Sequence, residues 1–452
     1  VDNFYSQQRV AMPLAILETK LRESGILTAI QSVCAGGTEC YLVGGAIRDC
    51  LLGRESNDFD FCFPAEANLY AEQIAERLGA TWFVLDPERQ HSRLVFKCEG
   101  EKLTCDFAPF RAPSLESDLR KRDFTINAMA IACHRNDIHL IDPMHGQDDL
   151  NARQLRVCSE YSFQEDPLRC LKVVRHAADL EFNIDPETMR LLVDSVSQID
   201  QVAAERIRTE ISKAVGCGQP LKAFELLGLT GLHRELFGSA SPESFAAALV
   251  MVRQLDTVFK ALKSGTCGRI VMDYFGKQCE ENVSVGVALM LAAFFRGYRP
   301  VALKSVLTAL RFSKRTIGLI DQLMSLDAGW AESLLQVADK PRSRARWLDD
   351  TGREPLATAI FLPLIASGSM QDNLLKSELL IDSYITCAGH GKLAELVDGK
   401  WFTTELGLDE GPQIGRLQAL LHRAEISGEA TTPEEAQRWL LYNKNSFDKD
   451  FG

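Results

Sequence analysis

A change in hydrophobic patterning near residue 146 constrains the fold of this 452-residue chain more than any other feature. Before that point the sequence contains one helical stretch, PAEANLYAEQIAERLG, and short β-rich runs: CYLVGG, FDFCF, TWFVL, RLVFKC, LTCDFAPF and DIHLID. After it, apolar residues recur three and four positions apart, as in AERIRTEISKAVGC, which is typical of amphipathic helices. We therefore expect an α+β fold, in which an N-terminal head with a small mixed sheet precedes an all-α remainder.

The composition is that of an ordinary globular protein, with 46% hydrophobic and 25% charged residues. No signal peptide precedes VDNFYSQQRV, and the longest apolar run, residues 283–295, is short of the roughly 20 residues that span a bilayer. We interpret that run as a core helix. The thirteen cysteines form no CxxC pair, which favours free thiols in a reducing cytoplasm. These features predict a cytoplasmic protein without membrane association.

The net charge of −12 argues against a nucleic-acid partner, but the charge is distributed unevenly. Residues 251–346 carry 15 Lys and Arg against 8 Asp and Glu, a local charge of +7. A surface stripe of such cations can follow a phosphate backbone, although cations on helices commonly face only water. The candidate RNA-binding residues are Arg296, Arg299, Lys304, Arg311, Lys314 and Arg315.

Two aspartates, Asp58 and Asp60, are separated by one phenylalanine in a β-rich run. On a strand they project to the same face, about 6.6 Å apart along the chain, and can reach the same hard cations. Taken alone, the pair is more often a solvated strand. Asp106, on another predicted strand, completes a carboxylate triad if the two strands are neighbours. Two metal ions at such a triad suit nucleotidyl transfer, because they neutralise a triphosphate and activate an attacking hydroxyl.

A glycine pair, Gly44 and Gly45, follows an apolar run and precedes the predicted short helix AIRDCLLG. Backbone N–H groups at such a turn can approach a triphosphate, and Arg48 adds a guanidinium in the first turn. No GxGxxG or GxxxxGK[ST] pattern is present, which excludes Rossmann and Walker interpretations. An ordinary strand-to-helix turn is the alternative.

The ordered set of motifs resembles the class II tRNA nucleotidyltransferases and bacterial poly(A) polymerases of the polymerase β superfamily. The matching segments are LVGGAIRD, DFD, KRDFTINAMA, EDPLRCLKVVRHAADLEF and ERIRTEISK. They cover about the N-terminal half of the chain. A weaker match at residues 406–440 resembles the tail helices of the bacterial tRNA enzymes.

The resemblance implies four regions: a nucleotidyltransferase head (1–146), a helical neck with the base template (147–218), a body (219–340) and a tail (341–452), the last two contacting tRNA. It implies that Asp58 and Asp60 bind Mg2+ and that Asp106 is the third catalytic carboxylate. The residues that it implies around the nucleotide are Gly44, Gly45, Arg48, Arg122, Asp123, Asn127, Asp166, Arg169, Lys172 and Arg175.

In this family, Asp166 and Arg169 match the residues that select the incoming base. Residues three apart lie on one helix face, which would place an acceptor beside a forked donor. Cytosine and adenine both offer an amino group beside a ring acceptor, whereas uracil and guanine leave buried groups unpaired at about 1–3 kcal/mol each. The pair therefore favours CTP and ATP; a surface ion pair is the alternative. Lys172 stands where the family commonly has arginine.

The link between Arg111 and Leu115 contains only Ala112, Pro113 and Ser114. CCA-adding enzymes usually carry a longer, mobile stretch here, implicated in the change from CTP to ATP, and enzymes without it resemble the CC-adding branch. We therefore expect addition of two cytidines from CTP to the tRNA 3′ end, with the acceptor arm as the partner surface. ATP as a second substrate, and a separate A-adding enzyme, stay open. The alternatives are a full CCA-adding enzyme, a poly(A) polymerase and a catalytically silent RNA-binding protein.

Overall fold

The computed structural model describes residues 2–135, 139–333, 340–349, 354–388, 396–408 and 411–447. The chain divides into two compact units, Val1–Val202 and Ala203–Gly452. All the residues predicted to act in catalysis and nucleotide binding belong to the first unit, and the predicted RNA-binding cations belong to the second. The finer division into head, neck, body and tail stays a prediction.

The first unit contains a seven-stranded mixed sheet, as its sequence predicts. Its strands are β1 (Tyr41–Val43), β2 (Asp58–Phe63), β3 (Thr81–Asp86), β4 (His91–Cys98), β5 (Glu101–Pro109), β6 (Ala130–Ala132) and β7 (Leu140–Ile141). The strand order is β3-β4-β5-β2-β1-β6-β7. β2 and β5 pair in parallel and the other neighbours are antiparallel. The sheet is therefore mixed because of one central parallel pair, and that pair carries the predicted carboxylates.

Helices pack against both faces of this sheet. The helices of the first unit are α1 (Asp2–Glu23), α2 (Ile26–Val33), α3 (Gly45–Leu51), α4 (Ala67–Leu78), α5 (Leu115–Arg120), α6 (Gly146–Asn151), α7 (Ser162–Glu165), α8 (Arg169–Asp179) and α9 (Pro186–Ser195). Helices α1, α2 and α4 cover one face of this sheet, and α5 packs through Leu119 against Tyr41, Val43 and Cys62 on the other.

Leu21, Ile30 and Ile74 from α1, α2 and α4 are buried in one core with Phe59 and Phe107 of the sheet. The phenylalanines of β2 thus face these helices, which leaves the alternate residues of that strand on the opposite face.

The described part of the second unit is helical apart from one hairpin. The elements are α10 (Ala204–Val215), α11 (Pro220–Thr230), α12 (Leu232–Phe237), α13 (Pro242–Ser264), α14 (Gly268–Gly276), α15 (Val285–Tyr298), α16 (Leu303–Ala309), α17 (Lys314–Ser325), α18 (Ala328–Ser333), α19 (Pro341–Asp349), α20 (Pro355–Ile365), α21 (Met370–Ala388), α22 (Gly399–Thr404), α23 (Pro412–Ser427) and α24 (Pro433–Phe447). The hairpin joins Gln278–Glu280 to Val283–Ser284. After residue 146 the first unit adds one short parallel pair, Gln154–Leu155 with Asn183–Ile184. The expected helical remainder is therefore confirmed, but it is not strictly all-α.

The apolar run at residues 283–295 supplies most of α15, which is buried along nearly its whole length. The Phe294 ring stacks on Phe224 with centroids 4.3 Å apart and on Tyr298 with centroids 5.0 Å apart. The interpretation of the run as a core helix is therefore confirmed. Throughout the described ranges, each helix is too short or too polar to cross a membrane.

Candidate active site

The three predicted catalytic carboxylates lie on one face of the sheet. Phe59 is buried, whereas Asp58 and Asp60 on either side of it are exposed. Asp106 is the register partner of Asp60 across the parallel pair of β2 and β5. Directly paired residues project to the same face of a sheet. The two strands are therefore neighbours, which is the condition that the sequence left open for a carboxylate triad.

Asp60 lies among other charged side chains on this face. Its side chain is open to solvent, yet the surrounding protein atoms bury it enough to raise the pKa of its carboxyl, and the nearby carboxylate of Asp106 raises that pKa further. The cations of Arg122 and Arg111 act in the opposite direction. Mutual repulsion of two neighbouring acids is relieved by a bound cation, so the electrostatics favour a metal ion here.

Asp106 is held by an arginine that the sequence did not single out. Arg93 on β4 is the register partner of Asp106, and its Nε and one terminal nitrogen donate to the two carboxylate oxygens at 2.6 and 2.7 Å. His91 Nε2 lies 3.8 Å from the same carboxylate. Hydrogen bonding to Asp106 raises the pKa of Arg93, which keeps the guanidinium charged.

The glycine turn brings the backbone against the carboxylates. Gly44 follows β1 with φ of 84°, a left-handed conformation that favours glycine. A β-carbon at this position would lie 3.2 Å from Oδ2 of Asp60. Gly45 begins α3, and Arg48 on that helix is buried, donating to Oδ1 of Asn127 at 2.8 Å and to the carboxylate of Asp49. The hydrogen bond from Arg48 to Asn127 thus links α3, which begins at the glycine turn, to the KRDFTINA segment.

The predicted nucleotide-binding residues of KRDFTINA contact charged partners, with Asn127 buried and Arg122 and Asp123 half-buried. Nδ2 of Asn127 donates to Asp123 at 3.0 Å, and Nζ of Lys172 lies 3.5 Å from the other carboxylate oxygen. Burial alone would raise the pKa of Asp123, but Lys172 and the hydrogen bonds outweigh it and hold the pKa well below its ordinary range. Arg122 pairs at 3.1 Å with Asp118, a carboxylate that is 1% exposed.

The expected geometry of Asp166 and Arg169 is wrong in one respect. They do not share a helix face, because α7 ends at Glu165 and α8 begins at Arg169. Asp166 between them is extended, with φ of −149° and ψ of 95°. Pro167 explains this, since a residue before proline is disfavoured from helical backbone angles. A turn, not a helix, therefore brings the two residues together, and the Arg169 N–H donates to the Asp166 carbonyl at 3.0 Å.

The Arg169 guanidinium is buried and points back to the KRDFTINA segment. It donates to Oγ of Ser162 and to the carbonyl of Lys121, both at 2.8 Å. On the same helix, Arg175 contacts Nε2 of His176, whose ring is buried edge-on against Phe124. Burial and the neighbouring arginines hold the pKa of His176 well below its usual value, so the ring is neutral. α8 thus places buried Arg169 and half-buried Lys172 and Arg175 in one contiguous region with Asp123, which we call the buried basic network.

The predicted RNA-binding cations of the second unit differ in exposure. Arg296 is half-buried and donates to the carbonyl of Leu326 at 2.8 Å and to two neighbouring carbonyls at 3.5 Å, which gives it a structural role at the end of α17. Arg315 lies 3.6 Å from Glu354. The exposed members of the set are Arg299, Lys304, Arg311, Lys314 and Arg315.

Arg93, Asp118 and His176 were missed by sequence reasoning. Asp118 carried a usable signal, since it stands four residues before Arg122, the spacing of a helical ion pair. His176 lies in a recognised motif but on an apolar face, where a core histidine is the simpler interpretation. Arg93 carried no signal, because only the register of β4 against β5 shows that it faces Asp106.

The residues present fit a divalent metal ion. Three carboxylates supply the hard oxygen ligands that such ions prefer, on a face where Asp60 and Asp106 raise each other's negative potential. In the residues that the structure describes, no three His, Cys, Asp or Glu side chains already converge as a metal-binding group. Asp106 is instead paired with Arg93, so a metal ion has to compete with that guanidinium.

Comparison with known families matches residues 40–156 to the poly A polymerase head domain and residues 181–246 to the probable RNA- and SrmB-binding site of polymerase A. A CC-adding tRNA nucleotidyltransferase of Geobacter sulfurreducens is 32% identical over 412 residues, 90% of this chain and 92% of the relative. Another from Synechocystis is 45% identical over 180 residues, 39% of this chain and 42% of the relative.

Among solved structures, a CCA-adding enzyme of Thermotoga maritima complexed with tRNA has the same fold, with a TM-score of 0.62 and 24% identity over 94% of this chain and 95% of that one. The family resemblance predicted from the motifs is confirmed by the match to the Geobacter sulfurreducens protein, which spans nearly the full length of both chains. The chain that carries this carboxylate face, glycine turn and buried basic network belongs to the tRNA nucleotidyltransferase family.

Proposed function

We propose that this enzyme adds two cytidines from CTP to the 3′ end of tRNA, with release of pyrophosphate, and then stops. The observation that carries the proposal is the short link between β5 and α5, residues 110–114. Two relatives that share 32% and 45% identity with the chain are named CC-adding enzymes, which supports the same specificity.

This link is fixed at both ends by hydrogen bonds. The Phe110 N–H donates to the Phe63 carbonyl at 2.7 Å, and the Arg111 N–H donates to Asp118 at 2.8 Å. Ser114 caps α5 through a reciprocal capping box with Ser117. Ala112 and Pro113 are all that remains between these anchors, so the link has little room to move. We infer that a link of this length cannot re-orient the base template, which then stays fitted to the smaller pyrimidine.

The proposed chemistry begins at the carboxylates. Nucleotidyltransferases generally use divalent metal ions; we propose Mg2+, held by Asp58 and Asp60, which would neutralise the triphosphate and activate the attacking hydroxyl. Asp106 holds or deprotonates the tRNA 3′-hydroxyl. The glycine turn presents backbone N–H groups, and Arg122 adds a cation beside it. The hydroxyl attacks the α-phosphate in line, and pyrophosphate leaves toward the basic side chains.

Base selection is assigned to Asp166 and Arg169. The Asp166 carboxylate accepts from the cytosine amino group, and the Arg169 guanidinium donates to N3. Arg169 is already oriented by Ser162 and by the Lys121 carbonyl, which limits the positions that its fork can take. Uracil reverses the donor and acceptor at these two positions, and each unpaired group costs about 1–3 kcal/mol. The site therefore rejects UTP.

Contact with the tRNA acceptor arm is assigned to the second unit, as part of the head, neck, body and tail organisation. Lys314 and Arg315 occupy the first turn of α17, where the helix dipole disfavours cations. Their placement suits an anionic ligand better than it suits helix stability. Replacing Arg299 and Lys304 by alanine should weaken tRNA binding and lower the salt slope by about one per phosphate contact. Filter binding at several salt concentrations measures this, and an unchanged slope would contradict the assignment.

The experiment that tests the specificity uses a tRNA transcript that ends at the discriminator base. The transcript is incubated with CTP, with ATP or with both, and the product is sized on a sequencing gel. We expect growth by two nucleotides with CTP and no further growth when ATP is added. A cytoplasmic A-adding enzyme would then complete the end.

A full CCA-adding enzyme is the second candidate, because relatives named CCA-adding and A-adding also match the chain. It predicts a third nucleotide when both CTP and ATP are present. Long ATP-dependent tails would instead indicate a poly(A) polymerase. Either product would contradict CC addition.

A further inference from the structure

Arg93 belongs to a row of side chains that crosses the catalytic face of the sheet. Val43, Asp60, Asp106 and Arg93 are successive register partners on β1, β2, β5 and β4. In such a row every side chain projects to the same face, with neighbouring β-carbons about 5 Å apart. The cation therefore stands beside the carboxylates as part of the same surface, one strand farther from the glycine turn than Asp106.

The contact itself is stronger than an ordinary surface pair. Both oxygens of Asp106 are engaged by the two parallel N–H donors of Arg93, at 2.6 and 2.7 Å, and the Asp106 side chain is only 16% exposed. Bidentate pairs of this kind combine charge with fixed geometry. While the pair persists, both Asp106 oxygens are directed toward Arg93 on β4. A metal ion that approaches Asp106 therefore competes with the guanidinium for these oxygens.

Among the residues that the structure describes, Arg93 contacts the third carboxylate directly, and other basic side chains lie near this edge. His91 lies 3.8 Å from Asp106, and Arg122 approaches Asp60 from the side of the glycine turn. Arg93 is thus the permanent cation next to the third carboxylate. Its removal would make the potential at the carboxylates more negative, which strengthens the attraction for a divalent ion.

We propose that Arg93 is a positioning residue that holds Asp106 and competes with divalent metal ions for it, and so sets the metal affinity of the site. The inference rests on the proposed function, since it takes Asp106 as the third carboxylate. Arg93 orients the Asp106 carboxylate in the plane of the row when no metal is bound. An ion held by Asp58 and Asp60 that also takes Asp106 as a ligand would compete with the guanidinium for those oxygens.

The test is a titration of Mn2+ by electron paramagnetic resonance, at low ionic strength and without nucleotide or tRNA. Mn2+ is a suitable probe because it prefers the same oxygen ligands as Mg2+. Wild type is compared with Arg93→Gln, which removes the charge, and with Arg93→Lys, which keeps the charge but loses the fork. We expect Arg93→Gln to bind Mn2+ about tenfold more tightly than wild type, with Arg93→Lys between them.

Two controls make the result specific. Asp58→Ala should abolish the Mn2+ binding that is being compared. Arg190→Gln removes the same charge from the exposed α9, where Arg190 pairs with Glu187 and Asp194, and should bind Mn2+ like wild type. Cytidine incorporation is measured on the same samples, and we expect a lower kcat for Arg93→Gln because Asp106 is less well positioned.

Equal or weaker Mn2+ binding by Arg93→Gln overturns the proposal. If that variant does not fold, Arg93→Lys decides, because an affinity equal to or below that of wild type overturns the proposal as well. A wild-type enzyme that binds Mn2+ but does not incorporate cytidine overturns the proposed function instead. The two failures are therefore separated by their readouts.

Discussion

The carboxylate face and the buried basic network both concentrate charged side chains, but they do so in different ways. Asp58 and Asp60 are exposed, and the pKa of Asp60 is raised by burial and by Asp106. Asp123, by contrast, is surrounded by Lys172, Asn127 and a backbone N–H, and its pKa is lowered. The ionised carboxylate of Asp60 therefore opposes folding, whereas the ionised carboxylate of Asp123 stabilises the folded state.

This difference predicts which substitutions should change activity alone and which should change both activity and stability. An acid with a raised pKa opposes folding when it is ionised, whereas an acid with a lowered pKa favours folding when it is ionised. Substitutions on the carboxylate face should therefore remove activity without loss of stability. Substitutions in the basic network should remove both.

The largest effect is expected for Asp60→Asn. If Asp60 holds the metal ion as proposed, its loss should cost several kcal/mol of transition-state stabilisation, so cytidine incorporation should fall by about 10³-fold or more. The Tm should be equal to or above that of wild type at neutral pH, because the ionised carboxylate that opposes folding is gone. Incorporation of radiolabelled CTP and thermal unfolding measure the two quantities. Asp194→Asn, on exposed α9, is the matched control and should keep its activity. A lower Tm for Asp60→Asn than for wild type would contradict the expected difference between the two regions.

Gly44→Ala should follow, with incorporation reduced about 10²-fold by displacement of Asp60. Both Gly44 and Gly53 have positive φ, 84° and 70°, but only at Gly44 would a β-carbon meet a neighbour. Alanine at Gly53 should cost about 1–2 kcal/mol of unfolding free energy, the penalty for a left-handed residue, and alanine at Gly44, whose ψ is −144°, should cost at least as much. Gly53→Ala should keep its activity. Equal loss of activity in both variants would mean that backbone strain alone is responsible.

Asp123→Asn should lower the free energy of unfolding by about 2 kcal/mol, the value of hydrogen bonds to a charged group. Because the folded pKa of Asp123 lies below its ordinary 3.8, this stabilisation is complete above pH 3.8 and is lost as the pH falls through the folded pKa. The difference from wild type should therefore be largest at neutral pH and shrink in acid. Thermal unfolding across the pH range measures it, and a difference that grows in acid would contradict the assignment.

The smallest effect is expected for Ser162→Ala, at about 1 kcal/mol of unfolding free energy. The buried Ser162 hydroxyl accepts from Arg169, but the carbonyls of Ser162 and Lys121 also hold that guanidinium. We expect a decrease of about fivefold in the preference for CTP over UTP, in keeping with one lost hydrogen bond. Ser159→Ala, whose hydroxyl accepts from the Tyr161 N–H, is the control. An unchanged preference would mean that Ser162 does not orient the template arginine.

Several elements follow directly from local sequence. Period-two alternation in DFDFCF predicts that Asp58 and Asp60 share one face of β2, and the glycine pair predicts the turn into α3. The core helix α15 follows from an apolar run. Each of these depends on residues within one or two turns of chain, where propensity and burial pattern agree. The N-terminal helices α1 and α2 and the short strand β6 were not predicted.

Tertiary structure decided the environment of those residues. Whether Asp60 and Asp106 meet depends on a parallel pairing of strands that are separated by a helix and a hairpin. Asp166 has extended backbone angles because Pro167 disfavours a helical conformation at the preceding residue. The three-residue spacing of Asp166 and Arg169 had instead predicted that both lie on one helix. Similarly, the lowered pKa of Asp123 depends on Lys172, 49 residues away.

The sequence by itself determined the family, the fold class and the identity of the acids, because each rests on residue types in order along the chain. Only the tertiary structure decided that Arg93 faces Asp106 and that the basic residues form one buried network. The physical reason is that the face to which a strand residue projects follows from its position in the local alternation, with a period of two. Which residue lies opposite it on the next strand depends on the register of the two strands. A shift of one residue in β4 would have turned Arg93 to the other face of the sheet.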